Sequence, residues 1–266
     1  MPADYHTHTP LCMHAEGIPE QYIDAAIAAG LTEYGIADHA PVGEGFFDDW
    51  RMLDSQLPEY FEWVERAKSH ASDKLSVRVG MECDWLAGCE SWITELRNRH
   101  QWDYLIGSVH YINDKWDFDN PKWVGSRWAE ADIDQVWETY WQTYIEMADS
   151  GLFDILGHSD LIKKFGHKPA GDLCRFYEPA IDAIATSGAI IELNTAGWHK
   201  PCAEQYPHSE FLELARDGGI DLVISSDAHH PDEVARDFEK AKKVAKAAGY
   251  IETTLIKQGV RSYEAL

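Results

Sequence analysis

The feature that most constrains the fold is a regular alternation of short β-rich runs with longer helical stretches along all 266 residues. We predict strands at 3–8, 34–39, 75–83, 104–112, 153–158, 189–195 and 221–227. We predict helices at 19–29, 53–72, 91–100, 133–150, 173–187, 208–217 and 232–248, several of which end at a glycine. Strands joined by crossover helices pair in parallel and need both faces covered. The pattern therefore predicts an α/β fold, fitted best by a (β/α)7 or distorted (β/α)8 barrel, with an open doubly wound sheet as the alternative.

No Pro/Gly/Ser-rich linker or low-complexity tract interrupts this alternation. The length suits one barrel, because single barrels of about 250 residues are common. Hydrophobic residues make up 45% of the chain, which is enough for a sizeable core and argues against disorder. We therefore expect one domain over residues 1–266.

The formal net charge of −23 at pH 7 narrows the range of partners. Such a field repels polyanions, so we expect no nucleic acid partner. Bound cations would make a site locally positive, and a small phosphorylated substrate stays compatible. No apolar run is long enough to span a membrane and no leader pattern begins the chain, so we expect no membrane partner and a cytoplasmic location. The sequence leaves the oligomeric state open.

Metal-binding side chains cluster where the predicted strands end. In a barrel of parallel strands, functional groups lie at the C-terminal strand ends. A single histidine there is more often structural, but a cluster at six strand ends predicts a metal centre. Imidazoles combined with carboxylates favour Zn, Mn or Fe. The nine candidate ligands are His6, His8, His14, His39, Glu82, His110, His158, Asp227 and His229.

Longer motifs resemble the polymerase-and-histidinol-phosphatase (PHP) family, and within it the histidinol-phosphatases. They are Asp103-Tyr-Leu-Ile-Gly-Ser-Val-His110, Phe118-Asp-Asn-Pro121, Gly157-His-Ser-Asp-Leu-Ile162 and Glu192-Leu-Asn-Thr-Ala-Gly197. The resemblance runs from His6 to His229. It implies a distorted (β/α)7 TIM-like barrel with two or three divalent ions at the C-terminal strand ends. It also implies L-histidinol phosphate as the substrate, hydrolysed to L-histidinol and phosphate in histidine biosynthesis.

The same resemblance implies roles for individual residues. A first metal would be held by His6, His8, Glu82 and Asp227, a second by Glu82, His110 and His158, and a third by His14, His39 and His229. The nucleophile would be a metal-bridging hydroxide held by Glu82, Asp227, His110 and His158.

The substrate phosphate would contact basic side chains, for which the candidates are Lys163, Lys164 and His199. Lysines 163 and 164 and the segment Trp198-His199-Lys200 occupy places where the resemblance leads us to expect arginines. Lysine keeps the charge of arginine without its bidentate fork. The general acid is open among Asp160, His199 and His230. The loop 40–50 could cover the site.

Other functions remain as alternatives. The chain could act on another small phosphorylated substrate, or it could be a metal-dependent C–N hydrolase of similar barrel, which also begins with a His-x-His strand. A nucleic-acid exonuclease is disfavoured by the acidic charge. A non-catalytic metal-binding protein would close every coordination position, whereas catalysis needs an open one.

Overall fold

The strands are short, and half of them have candidate site residues at or next to an end. A computed structural model describes residues 3–43, 48–113 and 116–266. The strands are β1 Ala3–Asp4, β2 Glu33–Ile36, β3 Ser76–Val79, β4 Glu82–Asp84, β5 Ile106–Ser108, β6 Tyr111–Ile112, β7 Trp116–Asp117, β8 Ile155–Leu156, β9 Ile190–Asn194, β10 Leu222–Ser225, β11 Glu252–Lys257 and β12 Val260–Ala265.

Helices follow the strands as crossovers. They are α1 Pro19–Ala28, α2 Leu57–Ala71, α3 Glu90–Arg99, α4 Arg127–Glu130, α5 Ile133–Asp149, α6 Cys174–Ser187, α7 Ser209–Asp217 and α8 Phe238–Ala247. In α5, the Asp132 side chain accepts a hydrogen bond from the Gln135 N–H and caps the helix start. Trp137, Tyr140 and Tyr144 recur at helical spacing and are buried. The aromatic side chains of this helix are therefore core packing.

Two parallel sheets carry the site. One has the order β1-β2-β3 and the other β10-β9-β8-β5-β4. Isolated parallel bridges extend both sheets, one between Thr7 and Ala228 and one between His39 and Glu82. The hairpins β6–β7 and β11–β12 are antiparallel. The predicted α/β fold with a parallel sheet is confirmed.

The sequence located most elements but missed some details. The predicted strand 75–83 is interrupted at Gly80 and Met81, so it forms β3 and β4. The helix predicted from residue 232 starts at Phe238, because a 3-10 turn over Pro231–Glu233 precedes it. The hairpin β11–β12 was not predicted.

A small apolar cluster fills the space between the strands. Its residues lie in or next to seven strands, namely β1, β2, β5, β8, β9, β10 and β11. They are Ala3, Tyr5, Ala37, Tyr104, Ile106, Ile155, Ile190, Val223 and Ile256. The Tyr104 hydroxyl donates to the Tyr5 carbonyl oxygen at 2.6 Å. Gly35 makes room for it, since a Cβ there would lie 2.1 Å from the Tyr104 hydroxyl oxygen and 2.9 Å from the Tyr5 Cα. These contacts hold β1 against its neighbours.

Within the described ranges, no helix combines the length and the apolar character that crossing a bilayer would require.

Candidate metal centre

The nine predicted ligands come together, as the position of the strand ends requires. We call them the strand-end cluster. At least four groups of three among its members have donor atoms that all lie within 4.8 Å of one another. These groups are His6 with His8 and Asp227, His6 with Glu82 and His158, His8 with His39 and Glu82, and His14 with His39 and His229.

Glu82 lies in the middle of the cluster and is 1% exposed. Its Oε2 is 2.8 Å from His39 Nδ1 and 3.3 Å from His6 Nε2. Its Oε1 is 3.1 Å from His158 Nε2 and 3.6 Å from His110 Nε2. Oε2 is also 3.8 Å from His8 Nε2. The two oxygens therefore face two different sets of imidazoles, which would suit a carboxylate shared between two cations.

Asp227 supplies a second carboxylate to the cluster, next to His8. Its Oδ1 is 3.1 Å from His8 Nε2, and its Oδ2 accepts a hydrogen bond from Asn194 Nδ2 at 3.2 Å. Its backbone has φ 56°, in the left-handed region that aspartate tolerates better than most residues. Strained backbone of this kind gathers at functional sites, where the surrounding structure holds it in place.

The pKa values of both carboxylates are lowered, which favours their ionised forms. Burial alone would raise the pKa of Glu82, but His39, His6 and His110 hold it well below its usual value. Burial would likewise raise the pKa of Asp227, but His6, His8 and His229 keep it well below the normal range. The ionised form is the one that binds cations.

Three acidic residues outside the predicted set orient the imidazoles of the cluster. Each carboxylate is paired with an Nδ1, which leaves the Nε2 facing the cluster, as in many metal sites. Sequence reasoning did not assign these roles, although the spacing of two between Glu82 and Asp84 placed both on one face of a strand. The pairs are His6 with Glu192 at 2.7 Å, His110 with Asp84 at 2.8 Å and His8 with Asp38 at 3.3 Å.

Arg51 links this outer layer to the loop after β2. Its side chain is 1% exposed. Nη1 donates to Asp84 Oδ2 at 2.6 Å, and Nε donates to Asp48 Oδ2 at 2.8 Å. A buried arginine between two aspartates fixes the side of Asp84 that is turned away from His110.

Buried atoms without hydrogen-bond partners test whether the cluster fits a cation. His6 Nε2 and His229 Nε2 are buried and have no hydrogen-bond partner in the part of the chain that the structure describes, and the 2.8 Å contact between His39 Nδ1 and Glu82 Oε2 lacks hydrogen-bond geometry. Leaving such a group unpaired costs about 1–3 kcal/mol. Imidazole nitrogens and carboxylate oxygens are the donors that Zn, Mn or Fe accept. The residues present therefore fit divalent metal ions.

A cavity of about 510 Å³ opens onto the cluster. Besides cluster residues, its wall includes Trp50, Asp119, Lys164, Lys200 and Arg236. The loop expected to cover the site thus contributes Trp50, while its residues 44–47 lie outside the described ranges. Lys164 reaches the cavity, as a phosphate contact requires, and its Nζ is 3.0 Å from Asp119 Oδ2. Lys200 and Arg236 were not among the predicted phosphate contacts.

Lys163 and Asp160 do not reach this cavity. Both are fully buried, and Lys163 Nζ is 2.7 Å from Asp160 Oδ2. Lys163 also donates to the Gln205 carbonyl oxygen at 2.8 Å, and Asp160 accepts from the His208 N–H at 2.9 Å. This contradicts the expectation that Lys163 binds phosphate and that Asp160 acts as general acid, because each already binds the other inside the protein.

His199 and His230 lie on the surface beside the site. His199 is 43% exposed and its Nε2 is 2.6 Å from Asp237 Oδ2. His230 is 47% exposed and its Nδ1 accepts from the Asp232 N–H at 3.2 Å. Neither is among the described residues of the cavity wall. The structure therefore does not bring these two general-acid candidates to the cluster.

Comparison with known proteins places the chain in a family. The PHP domain matches residues 4–196. A probable histidinol-phosphatase of Deinococcus radiodurans is 40% identical over 92% of this chain and 93% of its own length. A histidinol-phosphatase of Bacillus subtilis is 27% identical over 89% of this chain and 96% of its own length.

Solved structures have the same fold. The histidinol phosphate phosphatase of Lactococcus lactis, complexed with Zn, L-histidinol and phosphate, superposes with a TM-score of 0.80. It is 21% identical and covers 98% of both chains. The putative histidinol phosphatase of Listeria monocytogenes superposes with a TM-score of 0.81 at 24% identity, over 90% of this chain and 99% of its own. The resemblance expected from the motifs is confirmed, and this chain belongs to the PHP domain family.

Proposed function

We propose that this chain is a metal-dependent histidinol-phosphatase, which hydrolyses L-histidinol phosphate to L-histidinol and phosphate. The observation that carries the proposal is the strand-end cluster, where Glu82 faces five imidazoles and its pKa is held low, and where buried nitrogens of His6 and His229 lack hydrogen-bond partners among the described residues. The relatives named above, which are histidinol-phosphatases, supply the substrate.

The cluster would hold two or three divalent ions, of Zn, Mn or Fe. His6, His8, Glu82 and Asp227 would bind one, Glu82, His110 and His158 a second, and His14, His39 and His229 a third. Groups of mutually close donor atoms support the first and third sets, and the contacts of Glu82 Oε1 with His158 and His110 support the second. Bound ions would lower the pKa of water toward neutrality and withdraw charge from the phosphoryl oxygens.

The chain's own residues provide the remaining functions of the site. Glu192, Asp84 and Asp38 fix the tautomer and the orientation of their imidazole partners. In the cavity wall, Lys164 provides a cation for the phosphate. Asp119 provides an acidic group for a cationic amine, and Trp50 provides an aromatic group for an imidazole. The net charge of −23 favours a small substrate over a nucleic acid.

We also infer that the strands close into a distorted (β/α)7 barrel and that the chain forms one domain. The Thr7–Ala228 bridge joins the end of β1 to the end of β10, and the His39–Glu82 bridge joins the two sheets on the other side. Counting β3 and β4 as one interrupted strand, the order becomes a ring of seven. The apolar cluster between the strands supports the same closure.

Phosphate release from L-histidinol phosphate tests the function. The protein is stripped of metal, Zn, Mn or Fe is added back, and a panel of small phosphomonoesters and phosphodiesters is assayed beside it. We expect a metal-restored rate that is highest on L-histidinol phosphate. Equal or higher rates on other phosphoesters would contradict the substrate, and an absence of hydrolysis with every metal would contradict the phosphatase assignment.

A further inference from the structure

The cavity contains a cation that the sequence did not identify as a phosphate contact. The two positions where arginines were expected carry lysines, and of these Lys163 is buried in an ion pair with Asp160. Among the described residues of the wall, the one guanidinium is that of Arg236, nine residues after Asp227. A phosphate is best recognised by a planar guanidinium, which can donate two parallel hydrogen bonds.

Arg236 is attached to the strand-end cluster through Glu233. Its Nη1 donates to Glu233 Oε1 at 3.1 Å. The other oxygen of Glu233 accepts the backbone N–H of His229 at 2.9 Å. Glu233 thereby ties the guanidinium to the backbone of a predicted ligand.

The guanidinium retains donors for a further acceptor. Glu233 occupies Nη1, whereas Nη2 makes no hydrogen bond to the described residues and is not among their unpaired buried atoms. By comparison, Lys164 in the same wall already has its Nζ 3.0 Å from Asp119. A phosphate oxygen is the acceptor that would complete the contacts of Arg236.

The backbone around Arg236 is held in an unusual conformation. Ala235 has φ 55° and Asp237 has φ 63°, so both neighbours are in the left-handed region. The Ala235 N–H donates to Asp4 Oδ2 at 3.0 Å, and Asp4 is fully buried beside β10. This turn replaces the first residues of the predicted helix and presents the Arg236 side chain at the cavity wall.

We propose that Arg236 binds the phosphate group of the substrate, together with Lys200 of the same wall. The inference rests on the proposed phosphatase function and deepens it. The phosphate-binding guanidinium would then lie in the segment after β10. The resemblance led us to expect it in the turn after β9, where this chain has Trp198-His199-Lys200.

The test uses Arg236→Gln, which removes the charge, and Arg236→Lys, which keeps the charge but not the fork. Arg66→Gln is the matched control, because it removes a guanidinium that pairs with Glu20 on the surface at 2.8 Å. All proteins are loaded with the same metal and their metal content is measured. The readouts are the inhibition constant of inorganic phosphate against p-nitrophenyl phosphate, and KM for L-histidinol phosphate.

We expect Arg236→Gln to raise both constants about tenfold or more at unchanged metal content, since charge-assisted hydrogen bonds to phosphate are lost. Arg236→Lys should raise them less, and Arg66→Gln should leave them unchanged. Constants within about twofold of the wild-type values in Arg236→Gln would overturn the inference. If Arg236→Gln does not fold, Arg236→Lys replaces it as the test. Constants within about twofold of the wild-type values in Arg236→Lys would then overturn the inference.

This failure is distinguishable from failure of the proposed function. If the protein hydrolyses p-nitrophenyl phosphate but not L-histidinol phosphate, the substrate proposal fails and the inhibition constants still test Arg236. If it hydrolyses no phosphoester, calorimetric titration of inorganic phosphate into the metal-loaded variants measures the same contact at equilibrium. Equal phosphate affinity in wild type and Arg236→Gln would then overturn the inference.

Discussion

At the residue scale, the proposed metal centre depends on one carboxylate. Glu82 is the member of the cluster that faces five imidazoles, three with Oε2 and two with Oε1. Its position follows from β4, which starts at Glu82 and pairs with β5. Removing its charge should affect more than one proposed metal at once.

Glu82→Gln should therefore lose bound metal and phosphatase activity together. The neutral amide is isosteric but cannot bridge two cations, so the loss should exceed the roughly 10–100-fold that removal of an outer partner costs. Metal content by elemental analysis and initial rates measure it. Glu62→Gln, on the exposed face of α2, is the control. A Glu82→Gln protein with full metal content and wild-type rates would contradict the role of Glu82.

Asp84→Asn tests the outer layer. Asparagine keeps an oxygen for Arg51 but presents no charge to His110 Nδ1, now 2.8 Å from Asp84 Oδ1. We expect metal affinity to fall about 10–100-fold, with the fold preserved. Competition with a chelator of known affinity measures the change, and circular dichroism checks the fold. Unchanged affinity would show that Asp84 does not support His110.

Sequence reasoning was most successful for residues whose position is set by strand ends. All nine predicted ligands lie in one cluster, because parallel strands deliver their C-terminal ends to one edge. It failed for Lys163, because the sequence does not say whether a lysine after β8 turns outward or, as here, inward to Asp160. Arg236 was missed because it looked like part of a continuous helix.

At the element scale, the packing of the short strands depends on close contact between the backbone of one strand and the groups of its neighbours. β2 can pack beside β1 because Gly35 leaves space for the Tyr104 hydroxyl group and the Tyr5 backbone. The hairpin β11–β12 places Ile256 against the same interior cluster. Helix spacing and glycine caps predicted the crossover helices, whereas this hairpin follows the last predicted element and was missed.

Gly35→Ala should destabilise the protein. A Cβ at this position would clash with the Tyr104 hydroxyl group and with the Tyr5 backbone. We therefore expect the free energy of unfolding to fall by about 1–3 kcal/mol. Denaturant unfolding of the metal-loaded protein measures it. Gly125→Ala is the matched control, because its Cβ would have no described neighbour within 4 Å. Equal midpoints for the two variants would contradict the packing argument.

At the scale of the whole molecule, metal binding and pH are coupled. Burial opposes protonation of His8, but Asp227 and Asp38 raise its pKa to about 9 in the metal-free protein. Burial also opposes protonation of His110, but Asp84 and Glu82 raise its pKa to about 9. A metal needs both imidazoles neutral, so its binding releases protons below that pH.

The stability difference between metal-loaded and metal-free protein should therefore widen as pH rises from about 6.5 to 9. In the metal-free protein, the raised pKa values of His8 and His110 contribute stability that is complete below the unfolded value of about 6.5. That contribution is lost as pH rises through about 9. Metal affinity grows over the same range. Thermal unfolding with and without a chelator measures the gap, and a gap that narrows with pH would contradict the coupling.

The most direct measurement of the central claim is the rate of L-histidinol phosphate hydrolysis as metal is added back, one equivalent at a time, to stripped protein. We predict no activity without metal, and a rate that rises and levels off between two and three equivalents of Zn, Mn or Fe. Glu82→Gln titrated in parallel should stay inactive. Full activity of the stripped protein, or binding of two to three equivalents with no hydrolysis, would contradict the assignment of the strand-end cluster as a phosphatase metal centre.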